Sequence, residues 1–257
     1  MDTLHLETAM AGALFIGVRI GGLMLFAPFF SAESVPPQCK LAFTVLLTAL
    51  LYPVCRPRSA DYGLLGWVGI VSAELVTGLL LGLAVQFVLE AAQMAGQLLG
   101  VQAGYSLVTL LDPQTQADTP VMATFQQLLA ALIFLQLNGH HWLLRGLAAS
   151  FAYLPPGSAW ASLRATSTLL RAAGGIWLAG MQMAAPVIAA TVLVDVTLGF
   201  LAKASPQMSV LFVGLPIKTL LTLALLTSML LALPGGLERR FAAGVSLGER
   251  LLHLAHS

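Results

Sequence analysis

Charged side chains are scarce in this chain of 257 residues. Lysine, arginine, aspartate and glutamate make up 9% of it, whereas soluble domains carry about a quarter. The net charge is only +1, so the composition gives no support for binding to nucleic acid. Hydrophobic residues make up 58%, and the mean hydropathy is +0.88. This composition excludes an ordinary soluble domain, so most of the chain must be solvated by lipid or by other apolar protein, and we predict an all-α fold.

Cysteine is also rare, and the two that occur, Cys39 and Cys55, flank the second apolar segment. If the interval between them is mostly helical, their Cα atoms lie roughly 24 Å apart at about 1.5 Å per residue. A disulfide needs Cα atoms within about 7 Å of each other. We therefore expect no intrachain disulfide. Neither thiol has the spacing of a metal ligand, and we predict no metal site and no cofactor.

Catalytic motifs are nearly absent. The chain has no phosphate-binding Gly-Lys-Ser/Thr loop and no His-Glu-x-x-His. Residues 104–107 match the Gly-x-Ser-x string of rhomboid-type intramembrane proteases, with Ser106 as the serine. That chemistry needs a histidine on a neighbouring helix, but all five histidines lie outside the long apolar runs. We predict no catalytic residue and no enzymatic activity.

Six apolar segments of unequal length follow one another along the chain. They are residues 9–30, 41–54, 64–89, 121–137, 169–201 and 208–233. A helix needs roughly 20 apolar residues to cross the bilayer core, so the second segment is too short to cross it and the fourth is barely long enough. These lengths favour membrane-embedded helical hairpins inside a larger assembly. The fifth segment could also be two helices hinged at Pro186. Residues 237–257 are predicted to form an amphipathic C-terminal helix.

Four charged residues lie inside apolar segments, where isolated charges are costly. They are Arg19, Glu74, Asp195 and Lys218. One interpretation is a proton relay in a secondary transporter, with Glu74 and Asp195 as its carboxylates. The other is a set of structural charges, each paired with a neighbour. The second is favoured because relays usually combine several carboxylates or a histidine on facing helices.

A glycine ladder, Gly96, Gly100 and Gly104, leads into a loop of residues 105–120. Small residues at every fourth position let another helix backbone approach closely. The loop begins with apolar residues and continues with polar residues and prolines. Lipid cannot satisfy its backbone, so it should be buried in protein or line a water-filled cavity. This combination predicts a pore-like assembly with a segment folded into it.

Several longer motifs resemble the FliR/SctT family of type III secretion export-gate subunits. Residues 100–113 read GVQAGYSLVTLLDP, and residues 138–142 read NGHHW. Residues 195–208 read DVTLGFLAKASPQM and are followed by VGLPIK at residues 213–218. Arg19, Ala27-Pro28, Val35-Pro36 and Leu154-Pro155 fit the same pattern. The flagellar branch fits better than the virulence homologues because of the Asp-Pro and Asn-Gly-His blocks.

The resemblance implies one export-gate domain over residues 1–257, in which residues 105–120 form a loop that plugs the pore. The plug residues would be Tyr105, Leu107, Leu110, Leu111, Asp112 and Pro113, and the structural charges would be Arg19, Glu74, Asp195, Lys203 and Lys218. Its implied partners are FliP, FliQ, FlhB and FlhA, together with unfolded flagellar export substrates. Its implied location is the flagellar basal body in the bacterial inner membrane. A virulence type III homologue and a proton-coupled transporter remain as alternatives.

Overall fold

A computed structural model of the protein describes residues 2–28, 30, 35–55, 63–104, 121–157, 163–205 and 210–256. All regular secondary structure in these residues is helical, which confirms the predicted all-α fold. The helices are α1 (Asp2–Phe26), α2 (Pro37–Leu51), α3 (Leu64–Gln102), α4 (Val121–Gln136), α5 (Gly139–Tyr153), α6 (Leu163–Ala204), α7 (Val210–Leu230) and α8 (Leu233–His256).

Four of these helices contain stretches long and apolar enough to cross a membrane. The stretches are Ala9–Phe26, Leu64–Gln102, Trp177–Ala204 and Phe212–Leu230. Helices α4 and α5 are bent by 67° at their junction and together could supply a fifth span. Helix α2 has only 15 residues, too few to cross a bilayer alone. Helices suited to the predicted membrane-embedded fold are therefore present. One further candidate span, formed by α4 and α5, is interrupted at the junction of the two helices.

The break between α4 and α5 lies at Asn138, within the Asn-Gly-His motif. Asn138 has a φ of 54°, the left-handed conformation that asparagine tolerates better than most residues. Sequence reasoning left residues 138–153 outside the apolar segments, but the structure contains helix Gly139–Tyr153 there. Polar His140, His141 and Arg145 interrupt its apolar pattern, which is why no helix was predicted.

Helix α6 is continuous over 42 residues, with Pro186 inside it. Of the two alternatives for the fifth segment, the structure therefore contains the single helix and not two helices hinged at Pro186. Proline removes one backbone hydrogen bond, and membrane helices tolerate this loss where neighbouring groups compensate for it. Helix α3 is also longer than its apolar segment and continues through Gly96 and Gly100.

One compact unit consists of residues 1–87, 135–173 and 240–257. Within it, α1 and α3 pack with their backbones in close approach. A Cβ atom added at Gly78 would collide with the carbonyl oxygen of Arg19 and lie 2.9 Å from the backbone nitrogen of Leu23. At Gly82, an added Cβ would lie 2.8 Å from the Leu23 oxygen. Glycine at these two positions allows the two helices to touch.

The second compact unit consists of residues 88–134 and 174–239. Its core joins three helices through small and branched side chains. The buried members are Ala95 and Leu99 of α3, Ala184 and Val187 of α6, and Leu226 of α7. The side chains of Ala95 and Ala184 are only methyl groups, so the backbones of α3 and α6 can approach each other closely here as well.

The C-terminal helix α8 covers residues 237–256 of the segment 237–257 that was predicted to be an amphipathic helix, and Ser257 lies outside the described residues. Leu233, Leu237 and Phe241 recur at every fourth residue and are buried, whereas Glu238 and Arg239 are exposed. This pattern places one apolar stripe against the protein in the part of α8 whose side chains are described. Both cysteines are free, as expected from their separation.

Candidate functional site: the loop base and the intramembrane charges

The predicted plug, residues 105–120, lies outside the described residues, as do its members Tyr105, Leu107, Leu110, Leu111, Asp112 and Pro113. The helices that carry its two ends are described. Helix α3 leads into it and α4 follows it, starting at Val121. How these two ends are held decides what a loop between them can do.

Gly96 brings α3 against the start of α4. A Cβ atom added at Gly96 would collide with the carbonyl oxygen of Met122 and lie 2.6 Å from the Cα atom of Ala123. Both are backbone atoms, which cannot rotate away. The two helices therefore meet backbone to backbone, the arrangement for which small residues are selected in membrane proteins.

The other two glycines of the ladder differ from Gly96. At Gly100, an added Cβ would lie 3.6 Å from the Met122 Cβ, an ordinary van der Waals contact. Gly104 lies beyond the end of α3 and has a φ of +85°, a conformation that glycine adopts without strain. An added Cβ there would lie 2.6 Å from Leu215 of α7. The ladder thus combines one backbone contact, one ordinary contact and one helix-ending turn.

A hydrogen bond from α7 also holds the end of α3. The hydroxyl of Thr219 donates to the carbonyl oxygen of Ala103 over 2.8 Å. This bond satisfies one of the carbonyls that a helix end leaves without an intrahelical partner. We call Gly96, Ala103, Gly104, Met122 and Thr219 the loop base. It fixes the entry and the exit of residues 105–120 within one packed unit.

We expect Gly96→Ala and Gly100→Ala to have opposite effects. At Gly96 the added methyl group must displace α4 backbone, and overpacking of this kind costs about 1–3 kcal/mol. At Gly100 the methyl group has room, and alanine is favoured over glycine within a helix by up to about 1 kcal/mol. The measurement is the denaturation midpoint of the solubilised protein. Equal midpoints for the two variants would contradict the contact assigned to Gly96.

The buried charges of the first unit form one cluster around Arg19. Its Nε donates to Glu74 Oε2 over 2.6 Å, and both side chains are fully buried. Its Nη1 donates to Ser150 Oγ over 3.1 Å, and its Nη2 donates to the Leu154 carbonyl over 3.0 Å. The guanidinium also lies 4.4 Å from the centre of the Phe151 ring.

The same cluster holds the turn after α5. Glu74 Oε1 accepts a hydrogen bond of 2.9 Å from the backbone N–H of Gly157, which has a φ of +88°. The pair thus links α1, α3, α5 and the turn that follows α5. Sequence reasoning identified Arg19 and Glu74 as structural charges, but it did not identify Ser150 or Gly157, and it noted Leu154 only as part of a family motif. Leu154 and Gly157 contribute backbone atoms, and a backbone contact cannot be predicted from the type of amino acid.

The geometry of this cluster is that of a structural ion pair. Both oxygens of Glu74 accept hydrogen bonds, and each nitrogen of Arg19 donates one. A buried pair is tolerated when further hydrogen bonds satisfy its remaining polar atoms. A proton relay would need one of these carboxylate oxygens to be open to water or to a second acid. Glu74 therefore does not resemble a relay group.

The other predicted charges lie in the second unit. Lys218 of α7 forms an ion pair with Asp195 of α6. The side chain of Asp195 is 49% exposed and that of Lys218 is 20% exposed. Lys203, near the end of α6, is exposed. All four charges that were placed inside apolar segments are therefore paired, two by two, within their own units.

Groups suited to metal chemistry are missing from the parts of the chain that the structure describes, since no three His, Cys, Asp or Glu side chains cluster there. The rings of His140 and His141 lie 4.3 Å apart at the start of α5. Ser106, the serine of the protease-like string, is outside the described residues. The arrangement of the described residues is suited to holding helices and a loop in place.

Comparison with known proteins gives one consistent result. The family described as "Bacterial export proteins, family 1" matches residues 10–244. The flagellar biosynthetic protein FliR of Escherichia coli K12 is 30% identical over 213 residues, 83% of this chain and 82% of that protein. FliR of Bacillus subtilis 168 is 32% identical over 213 residues, 80% of each chain.

A more distant match is the secretion system apparatus protein SsaT of Salmonella typhimurium LT2. It is 29% identical over 189 residues, 72% of this chain and 70% of that protein. The flagellar relatives thus match over a larger share of the chain than this secretion-system relative does. The chain therefore belongs to family 1 of the bacterial export proteins, with FliR, and is a subunit of the flagellar type III export apparatus.

Proposed function

We propose that this subunit gates the export channel, and that residues 105–120 close the lumen at rest. The first half of the segment is apolar, with Leu107, Leu110 and Leu111. An apolar constriction can block ions by excluding water. The second half carries Thr115 and Gln116 among other polar residues, which suits contact with a wet lumen. Unfolded flagellar proteins arriving from the cytoplasm would push the segment aside.

The loop base is the observation that carries this proposal. The two ends of the segment are attached to α3 and α4, whose backbones meet at Gly96, and the end of α3 is also held by the bond from Thr219 of α7 to Ala103. A gate needs fixed ends and a weakly held middle, because a tightly packed loop could not yield to substrate. A loop between two independently moving helices would not return to one closed position.

We further propose FliP and FliQ as the subunits that complete the channel, with FlhB and FlhA at its cytoplasmic side in the bacterial inner membrane. The surface of the chain supports an assembly of this kind. Within an 18-residue apolar window of each stretch, 17% of the residues are buried for Trp177–Ala204 and for Phe212–Leu230, against 44% for Ala9–Phe26 and 56% for Leu64–Gln102. These parts of α6 and α7 thus leave most of their surface for neighbours or lipid.

The assembly is tested by affinity purification of the tagged chain from membranes. We expect it to elute with FliP and FliQ in one large complex after mild solubilisation. Gly96→Ala should reduce the yield of that complex, whereas Gly100→Ala, the matched control, should leave it unchanged. A chain that purifies alone, is stable and binds a small solute would contradict the proposal and favour a transporter.

We propose that the subunit has no catalytic role and that Ser106 is not a nucleophile. The Ser106→Ala substitution removes the hydroxyl on which any serine-protease chemistry would depend. We expect export and swimming to stay within about twofold of the wild type, since no transition state is stabilised by that group. Loss of export in a complex of normal yield would show that the hydroxyl has a chemical or gating role.

A further inference from the structure

Helix α3 carries a row of polar side chains in the part that belongs to the second unit. Glu90, Gln93 and Gln97 are three or four residues apart, so they lie on one face of the helix. Glu90 and Gln93 are half-buried, and Gln97 is exposed. We call these three residues the α3 polar stripe. It lies within the stretch Leu64–Gln102, which is apolar enough to cross a membrane.

The stripe occupies a face of α3 that its two neighbours leave partly accessible. On one side of it, Gly96 meets the backbone of α4. On the other side, a Cβ atom added at Gly180 of α6 would lie 3.1 Å from the Cβ atom of Met94 and 3.2 Å from the carbonyl oxygen of Ala91. At 3.6 residues per turn, the stripe spans an arc of about 60° between these two contacts. The packing of α4 and α6 on α3 therefore does not bury it.

Water suits this stripe better than lipid or an apolar protein surface does. Hydrocarbon solvates ionisable groups poorly, and such groups in membrane helices almost always face protein or a water-filled cavity. A glutamine side chain has an acceptor oxygen and two N–H donors, and a carboxylate accepts several hydrogen bonds. A neighbouring protein would need a matched polar group for each of these atoms, whereas water satisfies all of them. The stripe is therefore typical of a helix face that lines an aqueous path.

The position of the stripe along α3 places it close to the proposed gate. Gln97 precedes Gly104 by seven residues, about two helical turns. Residues 105–120 follow directly after Gly104, which has a positive φ and lies beyond the last turn of α3. Because the segment leaves α3 only about two turns beyond the stripe, a lumen that it closes reaches the accessible face of this helix.

We propose that the α3 polar stripe lines the aqueous lumen of the export channel beside the gate, and that the carboxylate of Glu90 makes the open channel favour cations over anions. Carboxylates in the wall of a pore attract cations and repel anions. Gln93 and Gln97 are uncharged, so their amides bind water without contributing to this preference. The inference rests on the proposed function, since it assigns the stripe to the channel that residues 105–120 close.

Access of water to the stripe is tested by thiol labelling of the assembled complex in membrane vesicles. The native Cys39 and Cys55 are first replaced by alanine, and Gln93→Cys is then introduced. We expect a membrane-impermeant maleimide to label this cysteine from one of the two faces of the membrane, because a plugged lumen is open to water on either side of its plug. Leu99→Cys, in the buried core, is the matched control and should stay unlabelled. Gln97→Cys, at an exposed position, is a second variant if Gln93→Cys lowers the yield of the complex.

The role of Glu90 is tested by the reversal potential of a conducting complex in a planar bilayer under a potassium chloride gradient. The channel is opened by replacing Leu107, Leu110 and Leu111 with serine, which should remove its apolar seal. Glu90→Gln keeps the size of the side chain and removes its charge, so we expect the ratio of cation to anion permeability to fall about threefold. Glu238→Gln removes an exposed charge from α8 and should leave the ratio unchanged.

The two experiments separate failure of this inference from failure of the proposed gate. A conducting complex whose permeability ratio is the same with Glu90→Gln would overturn the role of Glu90. Complexes of normal yield in which neither Gln93→Cys nor Gln97→Cys is labelled from either face would overturn the assignment of the stripe to the lumen. If the serine-substituted complex assembles but stays closed, the proposed gate is wrong and the cation preference falls with it, whereas the labelling still decides whether the stripe faces water.

Discussion

Replacing Glu74 by alanine is expected to lower the free energy of unfolding by about 3–5 kcal/mol, because it leaves the Arg19 charge buried without a partner. The guanidinium is fully buried, so it cannot move to water without separating α1 from α3 and α5. The substitution also removes the acceptor for the backbone N–H of Gly157. Two buried groups therefore lose their partner at once, and few folded molecules should remain in the membrane.

The stability of three variants separates the possible causes of this effect. Glu238→Ala is the matched control, because Glu238 is exposed, and its denaturation midpoint should be close to that of the wild type. The double variant Arg19→Met with Glu74→Leu should recover most of the stability, since neither charge is then left alone. The measurement is the level of folded protein in membranes, together with the denaturation midpoint of the solubilised chain.

The Glu74 variants also decide between a structural charge and a proton relay. Glutamine at position 74 would keep the size of the side chain but would place an N–H group or an uncharged oxygen against Arg19. For a structural pair, we expect folded protein and export to fall together. If Glu74→Gln folded normally, assembled normally and lost only proton-dependent export, the structural interpretation would be wrong and the relay would be right.

The helical class of the fold followed directly from composition, but several helix bounds did not. Helix α5 was missed because His140, His141 and Arg145 interrupt its apolar pattern, and only Leu137 and the left-handed Asn138 separate it from α4. The fifth segment was left open between one helix and two, because Pro186 is compatible with either. The start of α5 and the continuity of α6 depend on tertiary packing, which cannot be predicted from a local sequence pattern.

The charged residues illustrate what a sequence can and cannot reveal about a site. Their cost in an apolar segment was sufficient to predict that Arg19 and Asp195 have partners. Arg19 and Glu74 are 55 residues apart, however, and nothing in the pattern pairs them. The remaining partners of Arg19 are a common serine, Ser150, and a main-chain carbonyl. The glycine ladder is a second example. Its three glycines are equally spaced in the sequence, but the structure places them in three different environments.

We expect the seal of the channel to depend on the apolar half of residues 105–120. Substituting Leu107, Leu110 and Leu111 by serine keeps the length of the segment and removes its ability to exclude water. The matched control replaces Thr115, Gln116 and Thr119 by serine, which leaves the polar half polar. Neither set of changes touches the loop base, so both variants should assemble with wild-type yield.

The most direct measurement is the ion conductance of the assembled complex in a planar bilayer, compared between these two triple variants. The proposed gate predicts that the leucine-to-serine variant conducts at least roughly tenfold more than the wild type, while the polar control stays closed, because only the former loses its dewetted constriction. A leucine-to-serine complex that assembles fully and stays as closed as the wild type would contradict the proposal that residues 105–120 close the lumen.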